Sequence, residues 1–197
     1  MTKSVGLLTL QGDYEKHRQA FAALDVETTG VRRPADLEQI SGLVIPGGES
    51  TTLTRLMDSG GLRQPLRDYA AEHPVMGTCA GLIMMSKSLV DEEFKDFGVK
   101  PLGVLNCQVQ RNGYGRQIDS FTAPVAIDIL DGSDEPFPAV FIRAPRIVAV
   151  GPDVEVVAQH EGEPVAVRQR NLLGLTFHPE LTGDLRIHNV FLQMIGA

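Results

Sequence analysis

Short apolar runs alternate with helical spacing through the first eighty residues, and that alternation limits the fold more than any other feature. The runs lie at 5–10, 26–31, 43–45 and 75–78. Between them, Ala20, Phe21 and Leu24 recur at helical spacing in 14–24, as do Leu37 and Ile40 in 34–40. Two more helical pieces, 53–57 and 62–71, flank Gly60-Gly61. Buried strands that alternate with helices predict a parallel sheet covered on both faces. Such sheets bind ligands beyond the carboxyl ends of their strands. Gln11, Gly47, Gly48 and Cys79 all fall at that edge.

The second half reads differently. Short apolar or alternating runs at 104–109, 125–129, 140–142, 147–150, 154–158, 165–167 and 172–177 are separated by turns at 131–133, 151–153 and 161–163. That pattern predicts hairpins. A last helix spans 184–195, with Leu185, His188, Phe191, Leu192 and Ile195 as its stripe. No repeat or linker interrupts the chain. The expectation is an α/β fold: one domain over 1–197, a three-layer sandwich around a mostly parallel twisted sheet, with extra β-hairpins in the second half.

Residues 75–85 read V-M-G-T-C-A-G-L-I-M-M. This is a G-x-C-x-G pattern at a strand-to-helix junction, the cysteine version of a nucleophile elbow. Gly77 and Gly81 allow close backbone packing there. Cys79 then sits beside the first N–H groups of the next helix, which favour a thiolate and a developing oxyanion. The alternative is a small buried hydrophobe. A nucleophile needs a base, and His178-Pro179-Glu180 follows the run 172–177. The i, i+2 spacing lets both side chains point one way in an extended segment. A carboxylate beside imidazole fixes its tautomer and stabilises imidazolium. Alone, the tripeptide reads as a polar turn; with Cys79 it reads as base and orienter.

The stretch 46–52, P-G-G-E-S-T-T, leads from a strand into a helix. It lacks the Gly-Lys-Ser/Thr of a phosphate loop. It suits an oxyanion donor and a cradle for a polar substrate, or an ordinary helix start capped by Ser50 or Thr51. Arg111 opens a Gly-punctuated polar loop that runs to Gln117, and Arg143 ends another run. Two Arg beside one pocket suit a substrate carboxylate or structural ion pairs. His17, His73, His160 and His188 read as surface or packing residues. No grouping has metal-ligand spacing.

A net charge of −7 argues against nucleic acid. Two Cys, with no C-x-x-C, argue against a disulfide scaffold or a Cys-rich zinc site. No run approaches the length that spans a membrane. Nothing at the start reads as a signal peptide. A reducing cytoplasm is the expected location.

Gly77-Thr78-Cys79-Ala80-Gly81 together with His178-Pro179-Glu180 resembles the triad-type (class I) glutamine amidotransferases. More narrowly, five stretches resemble the glutaminase subunits of pyridoxal 5′-phosphate synthase: 10–13, 46–51, 111–117, 141–145 and 178–182. The likeness runs nearly end to end. One departure is 90–101, longer and more charged than in that family, and away from every motif. The resemblance implies that Cys79 attacks the carboxamide of L-glutamine, that His178 moves the protons and that Glu180 holds His178. It implies oxyanion donors at Gly48 and Ala80. It assigns Gly47, Gly48, Glu49, Arg111, Ile142 and Arg143 to substrate binding. Gln11 and Gly12 would form a loop gated by a synthase subunit that receives the ammonia. No cofactor or metal is implied.

Overall fold

A computed structural model describes residues 4–90, 98–111, 113, 120–130 and 135–196. Asn112 and the stretch 114–119, which carry part of the resemblance, lie outside the described residues, as do 91–97 of the charged segment and 131–134, which include the turn at 131–133.

The first half alternates as its hydropathy dictates. Strand β1 (Val5–Leu8) leads to α1 (Tyr14–Ala22) and β2 (Thr28–Val31). A 3₁₀ turn (Pro34–Gln39) replaces the expected short helix and leads to β3 (Gly42–Ile45). Helices α2 (Ser50–Ser59) and α3 (Arg63–Glu72) precede β4 (Val75–Thr78), α4 (Ala80–Met85) and β5 (Ser86–Leu89). The second half is β6 (Leu105–Gln110), β7 (Ser120–Val125), β8 (Phe137–Ile142), β9 (Arg146–Val150), β10 (Glu155–His160), β11 (Glu163–Gln169) and β12 (Leu172–Leu175). Helix α5 (Arg186–Ile195) closes it.

The main sheet has the order β10-β11-β12-β4-β3-β1-β2. β12, β4, β3, β1 and β2 pair in parallel; β10 and β11 extend the sheet antiparallel. β5, β6 and β9 form a small mixed sheet, and β7 with β8 a hairpin. The mostly parallel α/β sandwich expected from the pattern is therefore present.

Successive side chains of a strand point to opposite faces, and the core divides accordingly. Leu8, Leu43, Ile45 and Val75 pack with α2, α3 and α4. Leu7, Val44, Met76, Leu173 and Leu175 pack with Phe21 of α1 and Phe191 of α5. Two clusters on two faces of one sheet are the three layers. Two strands differ from expectation. The run expected at 125–129 lies earlier, at Ser120–Val125, and only Ile127 still bridges, to Ala158. β5 carries no apolar signal, since Ser86, Lys87 and Ser88 make most of it. Its order comes from pairing with β6. Among the described residues no helix is long and apolar enough to cross a membrane.

Candidate active site

Four parallel strands end at one edge, and each delivers part of the site. After β4 the chain turns through Cys79, whose φ is 50° and ψ is −105°. A non-glycine residue in that region is strained by about 1–3 kcal/mol, and such strain concentrates at functional positions. The turn survives because its surroundings leave no alternative. A Cβ on Gly81 would collide with the carbonyl oxygen of Ile45, and one on Gly77 would stand 2.7 Å from the carbonyl carbon of Gly81. The Cys79 N–H donates to the Leu175 carbonyl at 2.9 Å, tying the elbow to β12. Helix α4 has only six residues, so its dipole is a small part of the site's electrostatics.

β12 delivers the base. The His178 N–H donates to the Val140 carbonyl of β8 at 2.8 Å. Its ring Nδ1 lies 2.7 Å from Glu180 Oε1. Both residues are 5% exposed. Pro179 starts the 3₁₀ turn Pro179–Leu181, which folds Glu180 back under the ring. Burial alone would lower His178, but the hydrogen bonds and charges of Cys79 and Glu180 outweigh it and raise His178 to about 10. Burial would raise Glu180, and the His17 and His178 rings hold it below the usual carboxylate range instead. The arrangement therefore favours imidazolium beside carboxylate, with Cys79 across from it.

β3 delivers the glycines. Gly47 lies under the His178 ring so closely that a Cβ would strike ring carbon Cε1. The expected caps Ser50 and Thr51 are not the caps of α2. Glu49 is, accepting from Thr51 N–H at 2.9 Å and Thr52 N–H at 2.7 Å. Burial opposes ionisation of Glu49, and those bonds, with the Thr52 hydroxyl, win and lower it to about 2. β1 delivers Gln11, whose Oε1 accepts from the Glu49 N–H at 2.8 Å. The Asp13 N–H donates to the Gly47 carbonyl at 3.2 Å, so Gln11 and Gly12 are stitched to the glycine loop.

These elements enclose a cleft of about 300 Å³. Cys79, Ala80 and His178 line its floor with Gly48 and Glu49; Gln11 and Asp13 close one side; Arg111, Ile142 and Arg143 close the other. Arg111 Nη2 stands 4.0 Å from Glu49 Oε1. Cys79 Sγ lies 3.9 Å from the Ile142 carbonyl oxygen. Arg143 has a φ of 42°, a second strained residue on the same cleft. Gly47 and Glu180 do not line the cleft but both meet the His178 ring. Asp13, His178 and Glu180 each bring a ligand-type atom within 4.8 Å of the others, the one such group among the described residues. Its His178 Nδ1 and Glu180 Oε1 already face each other.

Two residues read as packing or surface belong here. His17 and His188 are fully buried. His17 Nε2 lies 3.4 Å from Glu180 Oε2 and 3.3 Å from Thr78 Oγ1. His17 Nδ1 lies 3.1 Å from His188 Nε2. The signal was a histidine within each apolar helix stripe, where a packing partner alone gives no reason for an imidazole.

A model of the SNO glutamine amidotransferase family matches residues 7–197. The chain is 48% identical over 194 residues to the pyridoxal 5′-phosphate synthase subunit PdxT of Deinococcus radiodurans, covering 98% of this chain and 97% of that one. It is 46% identical over 192 residues to the subunit of the same name from Bacillus velezensis, covering 97% and 94%. A crystal structure of glutamine amidotransferase superposes with a TM-score of 0.90 at 40% identity, over 98% of this chain and 99% of that one. A glutamine amidotransferase from Thermotoga maritima, 15% identical, shares the fold at a TM-score of 0.64 over 100% of this chain and 85% of that one.

Proposed function

The chain belongs to the SNO glutamine amidotransferase family, and on that premise we propose that it hydrolyses L-glutamine to L-glutamate and ammonia for a pyridoxal 5′-phosphate synthase. The observation that carries this reading is the strained Cys79 elbow facing the buried His178–Glu180 pair, 2.7 Å apart, across one cleft. Residues 1–197 act as one amidotransferase domain, in the cytoplasm, where a free thiol persists.

Cys79 attacks the carboxamide carbon of glutamine. His178, as the imidazolium that holds the proton drawn from the thiol, gives one to the departing ammonia; Glu180 keeps the ring aimed and stabilises its charge. The backbone N–H groups of Gly48 and Ala80 receive the oxyanion, each such donor being worth about 2.7–4 kcal/mol. Ammonia leaves, a glutamyl thioester remains, and water attacks it to release glutamate and restore the thiol. Gly47, Gly48, Glu49, Arg111, Ile142 and Arg143 hold the substrate. Arg111 and Arg143 supply cationic groups for its carboxylate, and Glu49 a carboxylate on the same cleft. The reaction calls on the chain's own side chains and backbone N–H groups and on water.

Gln11 and Gly12 form the loop that the synthase subunit gates. In this structure the Gln11 side chain holds the Glu49 N–H, one residue beyond the Gly48 donor. Docking of the synthase subunit against 11–13 would re-aim that loop. A misaimed donor lowers turnover by roughly a hundred- to a thousand-fold. Steady-state glutamate release is the test, with the synthase subunit of pyridoxal 5′-phosphate synthase titrated in. The expected result is slow turnover by the chain alone and a strong rise on saturation. Equal turnover in both states would remove the gate, and no release in either state would remove the glutaminase.

A further inference from the structure

Glu180 uses one carboxylate oxygen on His178, and its other oxygen, Oε2, is buried without a hydrogen-bond partner of its own among the described residues. His17 Nε2 lies 3.4 Å from that oxygen. That is long for a hydrogen bond but close for a dipole aimed at a buried charge. The same nitrogen lies 3.3 Å from the Thr78 hydroxyl, which accepts the Gly47 N–H at 3.1 Å. Thr78 immediately precedes the elbow, and Gly47 lies under the His178 ring.

One arrangement of ring protons suits these atoms. If His188 Nε2–H donates to His17 Nδ1, then His17 carries its own proton on Nε2, facing Glu180 and Thr78. His188 Nδ1, buried and without a partner, is then a bare acceptor. The reverse arrangement aims a lone pair at the Glu180 carboxylate and leaves a buried N–H of His188 unmade. A buried orphan N–H is the rarer and costlier defect. Both rings stay neutral. Burial lowers His17 against the pull of Glu180, and lowers His188 to about 3, with His17 adding to the effect.

We propose that His17 is a positioning residue of the reaction: its Nε2–H, oriented by His188, fixes the Glu180 carboxylate and, through Thr78, the Gly47 backbone. The proposal rests on the catalytic reading of Cys79, His178 and Glu180. It extends the site from the sheet edge into the layer of α1 and α5. The ring of His188 is itself held edge-on by Phe21, with centroids 5.0 Å apart. The titratable groups that face Glu180 are His178 and His17. His188 stands behind His17, Asp13 approaches from the start of α1, and Cys79 lies across the His178 ring.

The test compares wild type, His17→Leu and His17→Gln. The Gln amide can place an N–H where Nε2 was; Leu cannot. The first readout is the pH profile of Cys79 alkylation by iodoacetamide on the chain, followed peptide by peptide. It reports on Cys79, His178 and Glu180 whether or not glutamine is the substrate. The second is glutamate release with the synthase subunit present, and melting temperatures are recorded for all three proteins. In His17→Leu, alkylation at neutral pH and kcat are expected to fall about tenfold, with the profile displaced to higher pH and KM within about twofold. His17→Gln should recover most of both. A folded His17→Leu with a wild-type profile overturns the proposal. So do Leu and Gln variants impaired alike, because then the ring only fills space. Should His17→Leu fail to fold, His17→Asn takes its place, its shorter amide reaching toward His188 and not Glu180. Parity of Asn and Gln overturns the proposal; impairment of Asn alone supports it. If wild type releases no glutamate, the glutaminase reading fails, and the alkylation profiles alone decide the role of His17.

Discussion

The two cysteines are almost equally hidden, at 8% and 2% exposure, yet they sit in opposite kinds of structure. Cys107 lies within strand β6 and off the positive-φ region, paired opposite Val150 beside a bulge in the pairing with β5, and packed among Leu105, Val109 and Ile147. Burial pushes its thiol up to about 12. Cys79 stands on a backbone turn that few residues tolerate, beside a charged imidazole and a cleft. Burial therefore does not separate an inert thiol from a reactive one. Backbone strain and polar neighbours do, because the thiolate needs compensating charge and an open line of attack.

Exchanging each cysteine for alanine tests the contrast most severely. Cys79→Ala is expected to cut glutamine hydrolysis by roughly ten-thousandfold or more with its melting curve little changed, since the nucleophile is gone. Cys107→Ala should keep activity within about twofold and lose on the order of 1 kcal/mol of stability. A glutamine-derived electrophile should mark the Cys79 peptide and spare Cys107 until the protein is denatured. Label on Cys107 in folded protein would collapse the distinction.

Gly81→Ala sharpens the role of the elbow itself. Its Cβ would meet the Ile45 carbonyl oxygen, so the turn must shift. The expected cost is about 1–3 kcal/mol in denaturant titration, with at least about tenfold lower kcat as Cys79 is displaced. Full activity would show that the strained conformation is incidental.

Stability against pH closes the series, and it too belongs to the elbow's neighbourhood. Unfolded histidine titrates near its ordinary 6.5, whereas His188 is lowered to about 3 and His178 raised to about 10. Below 6.5 the unfolded chain binds protons that folded His188 and His17 refuse, so stability falls as pH drops toward 3. Above 6.5 the folded chain keeps a proton on His178 that the unfolded chain loses, so stability falls again as pH rises toward 10. Each such proton contributes a slope of about 1.4 kcal/mol per pH unit. Urea melts across pH 4–9 should show a maximum near 6.5, and His188→Leu should make the acid side shallower, His17 keeping part of the slope. Cys107, at about 12, leaves that window untouched. An acid side unchanged in His188→Leu would remove that ring from the account.

The legible parts of the site were short and local. Gly77 to Gly81 and His178 to Glu180 hold their chemistry within five and three residues, and strand-helix alternation brings both to one edge. The pairing of His17 with His188 was not legible, since 171 positions separate them, although each stands out in a stripe that is otherwise apolar. Glu49 as the cap of α2 was hidden behind better capping residues at Ser50 and Thr51. β5 and β7 were missed or misplaced for a related reason: their order comes from partners in the smaller sheets, and Pro124 opposite Pro138 in the hairpin gives no local strand signal.

β12 is the last strand of the chain, yet it lies in the middle of the main sheet, between β11 and β4. During synthesis β4 emerges almost a hundred residues before the strand that covers its open edge. Until β12 arrives, Cys79 has no Leu175 carbonyl to anchor it, and the base His178 is not yet made. The growing polypeptide thus carries its thiol through the ribosome's neighbourhood before that thiol gains an imidazole partner. The same delay leaves an apolar strand edge unpaired, the surface on which nascent chains associate with one another. Closure of this sheet over β4 therefore waits for the last strand to be made.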